Sequence, residues 1–218
     1  MFLCVIFTQN GLFSRNKDLY WAQVLNSLLS TPYATAQMET ALIPGLSRSD
    51  EGRKADEPCT IVIFGASGDL TVRKLIPALF HLYKDGQMPE PFRVVGFARR
   101  DKTDASWREE MKAGIERFSR SSEVNAAQWE AFSKNLFYHR GDLTDAEAYA
   151  SLGTCLAEFD NEQLANNLIF YLAISPSLFG DVVDHLHEAK LLHRWEEGDQ
   201  FWQRVVVEKP FGHDPQSA

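Results

Sequence analysis

The chain has 218 residues, 44% of them hydrophobic and a formal net charge of −8, which is the composition of a globular protein rather than of a disordered or fibrous one. Acidic side chains outnumber basic ones by 30 to 22, which argues against a non-specific nucleic-acid binder. No apolar run approaches roughly 18 residues, so no membrane span is expected. The widely spaced Cys4, Cys59 and Cys155 argue against a disulfide framework or zinc knuckle. We therefore expect a cytoplasmic protein without nucleic-acid or membrane partners.

Residues 1–58 differ in composition from the rest of the chain and are predicted to form a flexible, disordered N-terminal tail. The apolar run at 2–7 is too short for a secretory signal and no basic residue precedes it. Two alternatives stay open for this segment. It could direct import into an organelle, because acidic residues are sparse before Asp50, although arginine is sparse too. Translation could also begin at Met38, which would place the upstream residues outside the protein.

Strand and helix patterns alternate from Thr60 onward. The predicted strands, rich in β-branched and aromatic residues, are 60–64, 92–97, 136–139, 168–174 and 204–207. The first predicted helix is 70–84, with a kink or restart near Pro77. A helix at 144–159 is opened by a capping box of Thr144 and Glu147. The other predicted helices are one around Trp107, Met111, Ile115 and Phe118, one around Trp129 and Phe132, and 177–190. Alternation of this kind predicts an α/β protein with a Rossmann-like, doubly wound parallel sheet over residues 59–218.

The strongest local motif lies between the first of these strands and the next helix, at Gly65-Ala66-Ser67-Gly68-Asp69-Leu70. Glycine lets the backbone approach a phosphate closely, and the N–H groups at a helix start point toward an anion. The glycines fall at the first and fourth positions, unlike the usual GxGxxG fingerprint. The motif therefore indicates a nucleotide-binding loop, with a tight strand-to-helix turn as the alternative.

The end of the second strand reads Ala98-Arg99-Arg100-Asp101. A site for NAD usually carries an acidic residue there, which binds the ribose 2′-hydroxyl. Guanidinium groups instead suit a 2′-phosphate, so the pattern predicts NADP as the coenzyme, with Asp101 balancing the arginine charge. The alternative is an ordinary solvated turn.

A third motif, Val205-Val206-Val207-Glu208-Lys209-Pro210, puts a lysine at the carboxyl end of a buried strand. Doubly wound sheets bind their ligands at that edge, and Pro210 restricts Lys209 to extended geometry. The alternative is a surface lysine paired with Glu208.

Four segments together resemble the glucose-6-phosphate dehydrogenase family: GASGDLTVRKL (65–75), VGFARR (95–100), FYLAISP (170–176) and VVVEKPFGHD (205–214). The resemblance covers residues 60–218. It implies an N-terminal NADP-binding Rossmann domain followed by a larger α+β domain, and a homo-oligomeric enzyme. Its implied reaction moves a hydride from C1 of glucose 6-phosphate to NADP and gives 6-phosphogluconolactone, the first oxidative step of the pentose phosphate pathway.

The resemblance also implies roles for individual residues. The implied coenzyme-binding set is Gly65, Ala66, Ser67, Gly68, Asp69, Leu70, Thr71, Val72, Arg99, Asp142, Leu143 and Lys209. Within it, the 65–72 segment holds the pyrophosphate, Ser67 and Arg99 meet the 2′-phosphate, and Asp142 and Leu143 lie beside the adenine ribose. Lys209 also touches the substrate.

One expected segment is absent from the sequence. The family's general base is a histidine in an RIDHYLGKE segment, and the 218 residues contain no such segment. A chain lacking it and the second domain is expected to bind NADP without turnover, to contain no catalytic residue, and to expose an apolar face. The alternatives are a non-catalytic NADP-binding or sensing module, or another NADP-dependent dehydrogenase. A short-chain dehydrogenase is disfavoured because no tyrosine begins a Tyr-x-x-x-Lys pair.

Other polar and aromatic clusters are expected to be structural. His185, His187 and Glu188 share a predicted helix, where an exposed polar face explains them and no metal site is expected. Trp107 and Trp129 are expected in the core.

Overall fold

The computed structural model describes residues 4–8, 57–118, 124–193 and 199–208. Six strands form one sheet in the order β1-β6-β5-β2-β3-β4. Their bounds are β1 Cys4–Thr8, β2 Cys59–Phe64, β3 Phe92–Ala98, β4 Leu136–Arg140, β5 Leu168–Leu172 and β6 Gln203–Glu208. The five strands from β2 to β6 run parallel, which confirms the predicted doubly wound sheet.

Helices connect the parallel strands. Their bounds are α1 Ile76–Lys84, α2 Asp104–Phe118, α3 Ala126–Ser133, α4 Ala146–Ala157, α5 Glu162–Asn166 and α6 Phe179–Glu188. A π-helical turn, Thr71–Leu75, precedes α1, and a 3-10 turn, Pro176–Leu178, precedes α6. None of the helices in the described part of the chain is long and apolar enough to cross a membrane.

The core lies on both faces of the sheet because successive side chains of a strand point to opposite faces. In β2, Ile61 and Ile63 pack with one cluster, which includes residues of α1, α2 and α3. Val62 and Phe64 pack with the other cluster, which includes residues of α4 and α6. All six residues of β2 are buried, as a central strand covered on both faces requires.

Strand β1 differs from the other five in origin and direction. It pairs antiparallel with β6, with Cys4 opposite Glu208 and Thr8 opposite Arg204. The prediction of a disordered tail over residues 1–58 is therefore wrong for residues 4–8, because an apolar run can add a strand to an open sheet edge. Residues 1–3 and 9–56 lie outside the described residues.

One predicted helix begins at a different cap from the one its sequence indicates, and another begins as predicted. The N-cap of α4 is Asp145, whose carboxylate accepts a hydrogen bond from the Glu147 N–H (3.0 Å), and the predicted Thr144 cap is wrong. The Thr144 hydroxyl donates instead to Asp142 (2.9 Å), so the next carboxylate caps the helix. The restart predicted near Pro77 is confirmed: α1 begins at Ile76, directly after the π-helical turn, with the proline in its first turn, where a missing N–H is tolerated.

One short helix was not predicted. Helix α5 begins after Asn161, whose side chain accepts hydrogen bonds from the N–H groups of Gln163 (2.8 Å) and Leu164 (3.1 Å). It buries Leu164 beneath the start of β2, where the Thr60 hydroxyl donates to the Leu164 carbonyl (2.7 Å).

The strand order fixes where a ligand can bind. The chain leaves β2 toward β3 on one side and later returns to β5 on the other, so the connections diverge between β2 and β5. Doubly wound sheets bind ligands in the crevice outside the carboxyl ends of the strands at such a switch point. The loop 65–69 comes directly after β2 at this place.

Candidate dinucleotide-binding site

Gly65 begins the loop in a conformation that requires glycine. Its φ is +84°, and a Cβ there would lie 2.3 Å from the carbonyl oxygen of Ala173, just past the end of β5. A Cβ on Gly68 would lie 3.0 Å from the Gly65 carbonyl oxygen. The backbone therefore turns in a space that only hydrogen atoms can fill, so the loop packs directly against the backbone just past β5.

Hydrogen bonds from the surrounding elements hold this loop. The N–H groups of Gly65 and Ala66 both donate to the Phe97 carbonyl near the end of β3, at 3.0 and 3.2 Å. The Thr71 hydroxyl donates to the Gly65 carbonyl (3.2 Å), and the Trp107 indole N–H donates to the Ala66 carbonyl (3.1 Å). Thr71, predicted among the coenzyme ligands, thus fixes the loop from inside the protein.

Trp107 was predicted only as a core residue, but it also contacts the glycine loop. Its fully buried indole lies over Gly96, where a Cβ would come within 2.5 Å of the ring. The same side chain therefore packs on β3 and satisfies a loop carbonyl. The sequence shows a glycine within a strand and a tryptophan in the following helix. Their contact becomes visible only when α2 is packed on the sheet.

The loop leads directly into the helix. The Val72 N–H donates to the Gly68 carbonyl (3.3 Å), and the Val72 side chain packs against Gly114 of α2. Leu70 is partly buried against the core, whereas Asp69 is exposed and pairs with Arg73 (3.1 Å). The positive end of the helix dipole therefore lies directly after the loop.

The arginines just past β3 have different positions. Arg99 is exposed and lines a cleft beyond the strand, whereas the Arg100 guanidinium donates to the Ser67 carbonyl (3.3 Å) and so ties the β3 end to the glycine loop. Asp101 lies 3.5 Å from Arg140, at the end of β4, rather than against its two arginine neighbours as expected.

Tyr138 of β4 fixes the backbone on both sides of Arg99. Its hydroxyl lies 3.2 Å from the Ala98 carbonyl and 2.7 Å from the Arg100 carbonyl. Partial burial raises the pKa of the Tyr138 hydroxyl, so it stays protonated and able to donate. The turn that carries Arg99 is therefore held rigidly beside the cleft.

The cleft has a volume of about 480 Å³ and lies where β3 and β4 end and α4 begins. Asp142 accepts hydrogen bonds from the N–H (3.0 Å) and hydroxyl (2.9 Å) of Thr144, and these bonds lower the pKa of its carboxyl. The cleft is lined by Arg99, Arg140, Gly141, Asp142, Asp145, Glu147, Ala148 and Ser151.

The structure thus brings most of the predicted site together along one sheet edge. The glycine loop rests on the β3 end, and Arg99 and Asp142 share the cleft. Leu143 is beside it, partly buried, and its carbonyl accepts a hydrogen bond from the Tyr149 hydroxyl (2.9 Å). Lys209 lies outside the described residues. Arg140 was not predicted for the site. The signal in the sequence was an arginine at the end of the predicted strand that follows the one ending near Arg99.

These residues fit a dinucleotide phosphate chain and a further phosphate. The φ of +84° at Gly65 lets the loop turn directly from the end of β2 into the helix start, whose N-terminus favours an anion, and the two cleft guanidinium groups supply charged donors. No group of three or more His, Cys, Asp or Glu side chains in the described ranges is placed to hold a metal ion.

Comparison with known proteins agrees with this geometry. Residues 62–218 match the family model for the glucose-6-phosphate dehydrogenase NAD binding domain. Glucose-6-phosphate 1-dehydrogenase of Chlamydia muridarum is 43% identical over 162 residues, 74% of this chain and 32% of the relative. The chloroplastic glucose-6-phosphate 1-dehydrogenase 1 of Arabidopsis thaliana is 32% identical over 213 residues, 97% of this chain and 36% of the relative. The chain spans about a third of the length of the curated relatives it matches.

Solved structures show the same likeness. A glucose-6-phosphate dehydrogenase in complex with glucose 6-phosphate aligns with a TM-score of 0.63 and 36% identity, over 76% of this chain and 33% of that one. The glucose-6-phosphate 1-dehydrogenase of Mycobacterium avium aligns with a TM-score of 0.59 and 30% identity, over 72% and 31%. The matches confirm the predicted fold and family resemblance, and NADP is the coenzyme of that family.

Proposed function

Because the chain belongs to the glucose-6-phosphate dehydrogenase family, we propose that it forms the NADP-binding part of an enzyme that oxidises glucose 6-phosphate. The reaction transfers a hydride from C1 of the sugar to NADP and gives 6-phosphogluconolactone. The observation that carries this proposal is the glycine loop at the β2/β5 switch point, which is joined to the arginine-bearing end of β3.

Each part of the site has a role in this proposal. The 65–72 segment holds the pyrophosphate, because its first glycine lets the chain turn from β2 into the helix start and the helix dipole favours an anion there. Arg99 binds the 2′-phosphate, while Arg100 keeps the loop next to it through the Ser67 carbonyl. Asp142 and Leu143 border the adenine ribose. Lys209 is proposed to contact both the nicotinamide and the substrate.

Bound NADP would supply the hydride acceptor, and the chain's own residues would bind and orient it. Removal of the C1 hydroxyl proton also needs a positioned base. The family's RIDHYLGKE segment does not occur in these 218 residues. We therefore propose that they bind NADP without oxidising the sugar, and that purified chain mixed with NADP and glucose 6-phosphate yields no NADPH. NADPH formation at a rate proportional to chain concentration would contradict this part of the proposal.

The test of coenzyme binding is an isothermal titration of the chain with NADP and, separately, with NAD. We expect NADP to bind more tightly, and Arg99→Ala to weaken NADP by about tenfold or more, since a charge-assisted hydrogen bond contributes about 1.5–3 kcal/mol. Binding of NAD should stay unchanged. Arg117→Ala, which removes an exposed guanidinium at the end of α2, is the control and should alter neither titration.

Equal binding of NADP and NAD by the unmodified chain would contradict the assigned selectivity. Binding of neither would contradict the whole proposal. A non-catalytic NADP sensor is the second candidate, because this fold alone does not establish activity. A longer reading frame that encodes RIDHYLGKE would decide for the enzyme.

Cellular location and assembly are part of the same proposal. We propose a cytoplasmic, homo-oligomeric enzyme. The alignment with the chloroplastic relative extends over 97% of this chain, so the alternative of organelle import needs a direct test. Residues 1–58 fused to a fluorescent protein should leave the fusion in the cytoplasm, and accumulation in an organelle would contradict the proposed location.

A further inference from the structure

Arg140 is placed beside the proposed phosphate ligand by strand register. Strands β3 and β4 are parallel, and Arg140 lies opposite Ala98, the residue immediately before Arg99. Neighbouring strands are about 4.8 Å apart, so the two arginines leave the same sheet edge side by side. Both side chains are exposed, and both line the cleft of about 480 Å³.

The charges around this cleft show why one arginine is insufficient for a phosphate. Its lining carries two guanidinium groups, from Arg99 and Arg140, and three carboxylates, from Asp142, Asp145 and Glu147. A phosphate monoester brings a further charge of about −1.5 to −2 near pH 7. With Arg99 as the only cation, the phosphate would face three carboxylates against one positive charge.

Two of those carboxylates are held in place by local hydrogen bonds at or just ahead of the start of α4. Asp142 accepts the N–H and hydroxyl of Thr144, and Asp145 accepts the Glu147 N–H at the start of α4. These bonds fix the acidic side of the cleft, so the long arginine side chains are the groups that can adjust to an incoming anion.

Asp101, the present partner of Arg140, would compete only weakly with a phosphate for the Arg140 guanidinium. Its guanidinium lies 3.5 Å from the Asp101 carboxylate, and the two side chains are 63% and 86% exposed. Exposed ion pairs contribute little because water screens them and both side chains lose freedom. Exchange of one carboxylate for a phosphate would therefore cost little and would restore a charged partner.

We propose that Arg140 is a second ligand for the 2′-phosphate of NADP and acts together with Arg99 to select NADP over NAD. In the free protein, Arg140 is paired with Asp101, which competes with the phosphate for it. This inference rests on the proposed function, because it names a further residue of the same coenzyme site. It assigns Asp101 the opposite effect: its carboxylate weakens NADP binding by holding Arg140.

The test titrates the 218-residue chain and its variants with NADP and NAD. Arg140→Ala should weaken NADP by about tenfold, the loss expected when one charge-assisted contact disappears, and should leave NAD within about twofold. Asp101→Asn should tighten NADP by about threefold, in the range of an exposed ion pair, and should also leave NAD unchanged. In the Arg140→Ala background, Asp101→Asn should have no further effect on NADP.

The matched control is Lys134→Ala, which breaks another exposed ion pair, with Glu130 at 3.1 Å, away from the cleft. It should change neither titration, and thermal melting of every variant should match the unmodified chain.

The results separate the two proposals. If the unmodified chain prefers NADP and Arg140→Ala retains that preference, the role of Arg140 is wrong while the proposed function stands. Equal weakening of NADP and NAD would also overturn it, because a 2′-phosphate contact affects NADP alone. If the unmodified chain binds neither dinucleotide, the proposed function fails and this inference fails with it.

Discussion

The two ends of the parallel sheet are built from opposite kinds of polar contact. At the amino edge, where the parallel strands begin, polar side chains are buried: Thr60, Asn167, Gln203 and Arg204 are each less than a tenth exposed. At the carboxyl edge, where they end, Arg99, Arg100 and Arg140 are exposed. The side chains of Thr60, Asn167 and Gln203 donate hydrogen bonds to neighbouring backbone carbonyls. By contrast, Arg99 and Arg140 line the cleft, and Arg100 donates to the glycine loop.

Asn167 shows how the amino edge is closed. Its side-chain N–H donates to the Pro58 carbonyl ahead of β2 (3.1 Å), and its oxygen accepts from the Trp202 N–H ahead of β6 (3.1 Å). One amide thus joins the starts of strands on both sides of β5. The amino ends of the strands are thus tied by buried polar side chains, whereas Arg99 and Arg140 at the carboxyl ends are exposed and line the cleft. Substitutions at the two edges should therefore separate stability from coenzyme selectivity.

The largest effect is expected from Gly65→Ala at the carboxyl edge. The new Cβ would lie 2.3 Å from the Ala173 carbonyl oxygen, and the alanine would have to adopt a φ of +84°. Strain and overpacking together should lower the free energy of unfolding by about 2–6 kcal/mol. We also expect NADP binding to be lost, since the loop cannot keep its path. Denaturant unfolding and a coenzyme titration measure the two effects.

Gly86→Ala is the control for that substitution. Gly86 also has a positive φ, +66°, but a Cβ there meets nothing within 4 Å. It should cost only the backbone preference, about 1–2 kcal/mol, and leave NADP binding intact. Equal losses of binding in both variants would show that the close approach at Gly65 is unimportant.

A smaller effect, and one confined to stability, is expected from Asn167→Ala at the amino edge. The variant leaves the Pro58 carbonyl and the Trp202 N–H without their partner, which should lower the free energy of unfolding by about 2–4 kcal/mol. The ratio of NADP to NAD affinity should not change at a temperature where the variant is folded.

The neighbouring Asn166→Ala provides the comparison, because that partly buried side chain donates within its own helix, to the Glu162 carbonyl (2.9 Å). We expect this variant to lower the free energy of unfolding by less than about 1 kcal/mol, because it removes a single local hydrogen bond near the surface. A change of coenzyme preference in Asn167→Ala would contradict the separation of the two edges.

The smallest effect concerns His139 of β4. Burial lowers the pKa of its imidazole, against a smaller opposing effect of the Ala148 backbone, and its Nε2 lies 2.9 Å from the Ser151 hydroxyl. The fold therefore favours the neutral ring, and the unfolded chain takes up a proton first as the pH falls below about 6.5. Stability should decline from there through the lower pKa of the folded state. His139→Gln should reduce this decline in melting temperature between pH 7 and pH 5.

His187→Gln is the matched variant, at an exposed position in the last turn of α6. It should retain the pH dependence that His139→Gln removes. Identical pH profiles for His139→Gln and the unmodified chain would mean that the neutral form of His139 does not contribute.

The sheet and the glycine loop could be predicted because their signals are local. Thr60–Phe64 is a continuous apolar and β-branched run, and Gly65 and Gly68 punctuate the turn directly after it. Alternation with helical patterns then restricts the topology to parallel units. These features depend on residues near one another in the chain.

The remainder depends on residues that meet only in the folded protein. Arg140 is one arginine at a strand end until β4 is placed beside β3, in the register that sets it next to Ala98. Trp107 similarly becomes part of the site only when α2 brings it over Gly96 and the Ala66 carbonyl. The Asp145 cap was missed because Asp142 engages the Thr144 hydroxyl, a competition between neighbours that the capping pattern does not encode.

The most direct measurement is a crystal structure of the chain with NADP bound. We expect the pyrophosphate to lie on Gly65–Asp69 and the 2′-phosphate to lie within hydrogen-bond distance of both the Arg99 and Arg140 guanidinium groups, with the Arg140–Asp101 pair broken. A 2′-phosphate directed into solvent, or a dinucleotide bound away from the glycine loop, would contradict this expectation.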